Sequence, residues 1–326
     1  MKAAFRDRYG PPEVVELREF DTPNPTDGQV LVRVRAASVN RADLDYLQPR
    51  PAFVRLFIGM RSPKNPRIGI DVAGVVESVG TSVTRFKPGD LVFGDLYGFG
   101  AGAFSEYVCT REKAFQSIPE GMSFENAATL PHSAILALQG LRLRDGRTPK
   151  PGDRVLIDGA SGNVGPFAVQ IAKSMGAEVT ATASPAKLDF VRSLGADHAI
   201  DYTATDYTKT GERYDWILDT DSHHSLFAVR RALRPNGVYV TLGGTAWPIL
   251  ASMVLAPLIS RATGTRMGLL LWWKPFHADD VAALTGLIAA GKVRPAIDRR
   301  FVLDEIVEAL RWVHEGRAKG KVVITF

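Results

Sequence analysis

Two rhythms of apolar residues divide the chain. Over the first third, short runs rich in β-branched residues recur at Val30 to Val34, Val72 to Val79 and Leu91 to Phe93, separated by turn signals such as Lys87-Pro88-Gly89-Asp90. This pattern predicts the strands of an irregular β-rich domain. From about Ser123 the spacing changes, because Asn126 to Leu143 and Val164 to Met175 carry apolar residues at helical intervals with short apolar runs between such segments. The runs Arg154 to Ile157, Glu178 to Thr182, His198 to Ile200, Trp216 to Leu218, Val238 to Leu242 and Met267 to Leu271 predict six strands alternating with helices. That is the rhythm of an α/β, doubly wound parallel sheet. Beyond Asp279 the pattern predicts a helix over Val281 to Ala290, a strand near Ile297 to Val302, a helix over Glu305 to His314 and a last strand from Lys321 to Phe326. The tail returns to the first texture. The expected division is therefore residues 1–122 with 279–326 as one domain and 123–278 as the other, the second inserted into the first or followed by its closure.

Length agrees with this division, since 326 residues hold two domains of roughly 150 residues. Hydrophobic residues at 45% and charged residues at 23% are those of an ordinary globular protein and exclude disordered, collagen-like and disulfide-scaffold classes. The excess of 40 Lys and Arg over 35 Asp and Glu is small and spread along the chain, so no nucleic-acid partner is expected. One cysteine, Cys109, forms neither an internal disulfide nor a multi-cysteine zinc site. Together with a charged first twenty residues that lack the apolar core of a signal peptide, this makes the cytoplasm the expected compartment. The most apolar stretch, Trp247 to Ser260, is too short to span a bilayer and carries Pro248 and Pro257.

The most informative segment is Arg154-Val-Leu-Ile-Asp-Gly-Ala-Ser-Gly-Asn-Val-Gly165, an apolar strand entering a glycine turn and then an amphipathic helix. In such a turn, Gly159, Ala160, Ser161, Gly162, Asn163, Val164 and Gly165 would cradle a pyrophosphate. Gly162 would allow close backbone approach, Gly165 close helix packing, and the helix start would offer unpaired N–H groups and a positive dipole end. Ala160 stands where the fingerprint has its first glycine. About 20 residues on, an acid would accept from the ribose 2′-hydroxyl of NAD. Here the strand end reads Thr180-Ala-Thr-Ala-Ser-Pro-Ala-Lys187. Ser184 and Lys187 without an acid favour a 2′-phosphate, hence NADPH.

Several further segments now fall into place. Ala37-Ser-Val-Asn-Arg-Ala-Asp43, Gly69-Ile-Asp-Val-Ala-Gly-Val-Val-Glu-Ser-Val-Gly80, Phe86-Lys-Pro-Gly-Asp-Leu-Val-Phe93, Ala103-Phe-Ser-Glu-Tyr107 and Ser193-Leu-Gly-Ala-Asp197, with the glycine loop, resemble the medium-chain dehydrogenase/reductase superfamily over essentially the whole chain. Within it, the chain is similar to the zinc-independent quinone oxidoreductase group of zeta-crystallin-like proteins. The resemblance implies a chaperonin-10-like catalytic domain built from both chain ends, a Rossmann nucleotide-binding domain between them, an active site in the cleft, and a homodimer. It further implies that Ser184, Lys187 and Tyr202 form the pocket for the adenosine 2′-phosphate, that Arg317 reaches the cofactor from the tail, and that Leu242, Gly243 and Gly244 line the nicotinamide.

Zinc-dependent members hold a catalytic zinc through a Cys, a His-Glu pair and a later Cys, and a structural zinc through four cysteines. The aligned places here read Asn40 and Ile70-Asp71, and Gly94 to Cys109 offers one cysteine, so no metal site is expected. The resemblance then implies hydride transfer from NADPH to a small hydrophobic acceptor, a quinone or an alkene conjugated to a carbonyl. Asn40 would donate a hydrogen bond to the acceptor oxygen, with Tyr46 a second donor. Asp43 is read as fixing its loop, His132 either as a satisfied core or helix-start histidine or, as the resemblance implies for its segment, as a residue passing close to the nicotinamide, and His223-His224 as polar residues at a helix start. The segment from Thr245 to Phe276, with Trp247, Trp272 and Trp273, is read either as a pocket wall or as a dimer interface. A catalytically idle NADPH-binding protein and a ketone or aldehyde reductase are the alternative functions.

Overall fold

The computed structural model describes residues 1–49, 55–244 and 246–326; Thr245 and the side chain of Trp247 lie outside the described residues. It divides into two units: Met1–Ser133 with Pro275–Val281 and Ile297–Phe326, and Ala134–Lys274 with Ala282–Ala296.

In unit one, β1 (Lys2–Phe5) pairs antiparallel with β2 (Glu16–Glu19). A longer strand, β3 (Gln29–Val39), leads into α1 (Arg41–Leu47) and α2 (Arg55–Ile58), then β4 (Asp71–Val79), β5 (Leu91–Asp95), β6 (Tyr107–Arg111), β7 (Phe115–Ser117) and α3 (Phe124–Ala128). Strands β3 to β7 each pair antiparallel with a neighbour. Their β-branched residues fill one core in which Val30, Val32, Val72, Val92 and Phe104 are buried, and Leu310 and Ile324 from the chain's end join it.

In unit two, α4 (Ser133–Gly140) precedes β8 (Arg154–Asp158), α5 (Gly165–Ser174), β9 (Glu178–Ala183), α6 (Leu188–Ser193), β10 (His198–Asp201), β11 (Tyr214–Asp219), α7 (Leu226–Arg231) and β12 (Leu233–Thr241). Then come α8 (Ala246–Val254), α9 (Ala256–Thr263), β13 (Arg266–Leu269) and α10 (Ala278–Ala289). All six expected strands form, in the parallel order β10-β9-β8-β11-β12-β13. The order reverses between β8 and β11, the place where open parallel sheets bind ligands beyond their strand ends. The chain returns to unit one as β14 (Ile297–Val302), α11 (Ile306–His314) and β15 (Lys321–Thr325), with β15 antiparallel to β3.

Two differences from the sequence reading have local causes. The segment 126–143 is two helices, because the backbone turns at Thr129 and Pro131 has no N–H to carry a helix through. The unit borders also shift from 122/123 and 278/279. Residues 123–133 stay with unit one, where α3 packs on β3 and β4 and Glu125 pairs with Arg300 at 2.6 Å. Residues 282–296 go with unit two, where the Gln170 amide exchanges two 3.0 Å hydrogen bonds with the backbone of Arg294.

Candidate active site

In unit two the expected cofactor residues gather at the carboxyl ends of the strands. The loop after β8 is held from both sides: Thr182 Oγ1 accepts from Gly159 N–H at 3.0 Å, Ala160 N–H donates to the Thr182 carbonyl at 3.1 Å, and Thr220 Oγ1 donates to the Asp158 carbonyl at 2.9 Å. Ala160 and Ser161 are buried, Asn163 and Val164 half-buried, and Gly162 is exposed. The glycines differ in what they permit. A Cβ on Gly165 would stand 2.4 Å from the Ala160 backbone, so α5 can lie this close to the strand only with glycine there. A Cβ on Gly162 would meet only the Gly159 carbonyl at 3.5 Å, leaving its outer side open to a ligand.

Two neighbouring strand ends supply the rest of the rim. The register pairs Asp201 with Ala183, and Tyr202 N–H donates to the Ala183 carbonyl at 3.3 Å, so Ser184 and Tyr202 follow from adjacent strand ends. Lys187 ends the short turn Pro185–Lys187 and is half-buried, whereas Tyr202 is exposed. After β12, Leu242 N–H donates to the Asp219 carbonyl at 2.9 Å, and Ser222 N–H donates to the Gly243 carbonyl at 3.0 Å. Gly244 takes φ +138° with the Ser222 backbone so near that a Cβ would fall at 2.6 Å. Arg317 belongs to unit one, where it pairs with Glu315 at 2.6 Å and stacks over Trp312.

Beneath the loop, Asp158 and Asp219 are paired in register on β8 and β11. Burial pushes both carboxyls up, Asp219 to about 7. Thr182 Oγ1 donates to Asp158, and the Tyr239 hydroxyl donates to Asp219 at 2.9 Å.

Unit one holds a buried polar cluster around Asn40, which is 1% exposed. Its Nδ2 donates to Asp71 Oδ2 at 2.8 Å, while its Oδ1 accepts from Ser133 Oγ at 2.8 Å and from Lys321 Nζ at 2.6 Å. The same ammonium donates to Ser133 Oγ at 3.1 Å and Asp71 Oδ2 at 3.3 Å, so its three N–H groups meet three acceptors. Burial pushes the Lys321 ammonium down and the Asp71 carboxyl up, each toward neutrality. The free-donor role expected for Asn40 thus meets an amide engaged at both ends.

Asp43 does fix the loop, accepting from Asn40 N–H at 2.8 Å. His132 is a core histidine whose Nδ1 lies 3.2 Å from Asp95 Oδ2. Burial lowers its pKa, but the hydrogen bond and charge of Asp95, with the charge of Asp71, outweigh burial and raise it. Tyr46 borders a cavity, its ring 6.2 Å from that of Tyr97, and burial raises its hydroxyl well above the ordinary range, so it stays a donor. His223 and His224 precede α7, pairing with Asp221 at 3.4 Å and Asp206 at 3.8 Å. Among the described residues, no three His, Cys, Asp or Glu side chains converge as a metal-holding set.

Lys321, Ser133 and Asp95 were not singled out by sequence reasoning, and Asp71 was read only as standing, beside Ile70, at an aligned zinc-ligand place. Only Lys321 left a signal, a lone cation opening the apolar run Val322-Val323-Ile324.

Comparisons with known proteins bear on both units. Residues 26–120 match the family model described as alcohol dehydrogenase GroES-like domain, and residues 194–324 match that described as zinc-binding dehydrogenase. The chain is 33% identical to the mouse NAD(P)H oxidoreductase RTN4IP1, mitochondrial, over 99% of this chain and 89% of that protein. It is 31% identical to the tomato (Solanum lycopersicum) 2-methylene-furan-3-one reductase over 99% of this chain and 79% of that one. Among solved structures it resembles the quinone oxidoreductase from Coxiella burnetii, with a TM-score of 0.85, 29% identity, and 100% and 99% of the two chains covered.

Proposed function

Because the chain belongs to the medium-chain dehydrogenase/reductase family, in its quinone oxidoreductase group, we propose that it is an NADPH-dependent, zinc-independent reductase of quinones or of alkenes conjugated to a carbonyl. NADPH, when bound, supplies the hydride. The observation that carries the reading is the rim of unit two, where Ser184, Lys187 and Tyr202 stand at adjacent strand ends beside a loop whose Gly162 has open space on its outer side. The residues fit the group. The N–H groups at the start of α5 would hold the pyrophosphate, Ser184, Lys187 and Tyr202 the 2′-phosphate, and the backbone of Leu242, Gly243 and Gly244 the nicotinamide.

In unit one, Tyr46 is the donor we assign to the acceptor oxygen, since the residue borders a cavity and its hydroxyl stays protonated. Asn40 keeps a place as a positioning residue that holds Lys321. At the places where zinc-dependent relatives have ligands, this chain has Asn40 and Asp71, and the positive charge on them is that of Lys321. The names of the tomato and Coxiella relatives support an acceptor activated by its own conjugation, because a methylene-furanone is an alkene conjugated to a carbonyl.

The cofactor choice is tested with Lys187→Ala. Only NADPH carries the charge this lysine would pair, and charge-assisted hydrogen bonds contribute about 1.5–3 kcal/mol. Isothermal titration should show NADPH binding weakened roughly 10- to 100-fold, with NADH nearly unchanged. Equal affinity of the parent protein for both cofactors overturns the reading.

A further inference from the structure

Arg6 is buried, 3% exposed, at the end of β1. Its backbone N–H donates to the Pro66 carbonyl at 3.0 Å, one Nη donates to the Tyr46 carbonyl, and its guanidinium lies 5.4 Å from the Tyr9 ring centre. None of these partners is an anion. Its Nε has no hydrogen-bond partner, and among the described residues it forms no ion pair. A fully buried arginine ordinarily has a counter-charge, because an unpaired ion in the interior is costly. The carboxyl whose charge acts on Arg6 is Asp43, which does so through its field without a hydrogen bond and accepts instead from Asn40 N–H.

Arg6 borders a cavity of about 260 Å³ in unit one. Lys64, Arg67 and the amide of Asn65 line it with Arg6, and no acidic side chain does so among the described residues. Lys64 and Arg67 are exposed and form no ion pair among the described residues. Ile58, Ile70 and Leu96 line the same space. The cavity therefore combines a cationic rim of three side chains, one of them buried and unpaired, with an apolar wall.

We propose that this cavity is an oxyanion site, taking the carboxylate or phosphate group of a small amphiphilic molecule between Arg6, Lys64 and Arg67 and its apolar body against Ile58, Ile70 and Leu96. Burial without a partner acid also lowers the Arg6 pKa to about 10, which a bound anion would reverse. Tyr46 borders the same cavity, so under the function proposed above the ligand is an acidic acceptor. That identification rests on the proposed function, whereas the binding site itself does not.

The test is calorimetric titration of the full chain, without cofactor, using benzoate, phenyl phosphate and neutral benzamide. At least one of the two anions should bind one to one and at least tenfold more tightly than benzamide, and the stronger of the two identifies the acid group preferred. Lys64→Gln with Arg67→Gln, both exposed changes, should cut that preference about tenfold. Lys150→Gln with Lys292→Gln, an equal loss of charge in unit two, should leave it intact. Arg6→Met should abolish it if the variant folds, and the double variant decides the matter if it does not. Equal binding of all three probes, or an anion preference that survives in Lys64→Gln with Arg67→Gln, overturns the proposal. A failure of the reductase reading would appear elsewhere, as no NADPH oxidation with any quinone or enone, and would leave these titrations unchanged.

Discussion

Asp43 and Lys321 are buried charges of one cluster that are handled in opposite ways. The Lys321 ammonium has an acceptor for each of its three N–H groups. The Asp43 carboxyl has one donor, the Asn40 N–H, and its Oδ1 has none. Burial accordingly raises Asp43 from 3.8 to about 7, despite that hydrogen bond. Between these values the folded chain holds a proton that the unfolded chain has released. Its contribution to stability is thus fully present below pH 4 and is lost as pH rises through 7. At about 1.4 kcal/mol per unit, the loss is on the order of 4 kcal/mol. Asp43→Asn keeps an acceptor for Asn40 N–H and removes the titration, so denaturant titrations at pH 4, 5.5 and 7 should show a flatter decline than in the parent. An unchanged slope would mean that Asp43 is ionised throughout. At this scale the sequence was partly legible. Asn40 and Asp43 follow a strand in a recognisable motif, whereas Lys321 lies 281 positions from Asn40, and no local pattern reports a partner so distant.

The loop between β8 and α5 shows the same limit at the scale of the element. Its strand, turn and helix are readable from apolar spacing and glycine placement, and the structure forms all three. Which glycine serves the fold and which leaves room for a ligand is a matter of three-dimensional clearance. Gly165→Ala would put a methyl group 2.4 Å from the Ala160 backbone, which must shift, and backbone or overpacking strain of this kind costs typically about 1–3 kcal/mol. Gly162→Ala meets only one carbonyl, at 3.5 Å. Thermal denaturation should therefore show a lowered Tm for Gly165→Ala and a Tm close to the parent's for Gly162→Ala, while NADPH titration should show weakened binding for both. Full NADPH affinity in Gly162→Ala would remove the loop from the cofactor site. The split of 126–143 into α3 and α4 escaped the sequence reading for a related reason. Apolar spacing runs on through Pro131, so periodicity alone does not register the missing N–H.

For the whole molecule, the change of texture at Ser123 marked where helices begin and not where a unit ends, because α3 packs on the strands of unit one. The apolar segment after β12 was legible as unusual, and the structure now separates its inward from its outward residues. Ala256 and Met267 are buried, whereas Leu250, Met253, Val254 and Leu258 are each at least half exposed on α8 and α9. Beside them, β13 ends the sheet of unit two and, among the described residues, pairs on one side only, with β12. An unpaired strand edge next to a contiguous apolar face is a surface that soluble chains ordinarily cover. The homodimer implied by the family resemblance would cover it with a second copy, and a twofold axis would bring the same residues of each protomer together. In such a dimer a charge placed there would enter the interface twice. Leu258→Glu lies at an exposed position, so it should leave the fold and Tm of the isolated chain nearly unchanged, while two like charges in an apolar contact oppose association by several kcal/mol. Light scattering coupled to size exclusion should give twice the chain mass for the parent and the single chain mass for Leu258→Glu. A monomeric parent, or a variant that remains dimeric, would show that α8, α9 and β13 are not where two copies meet.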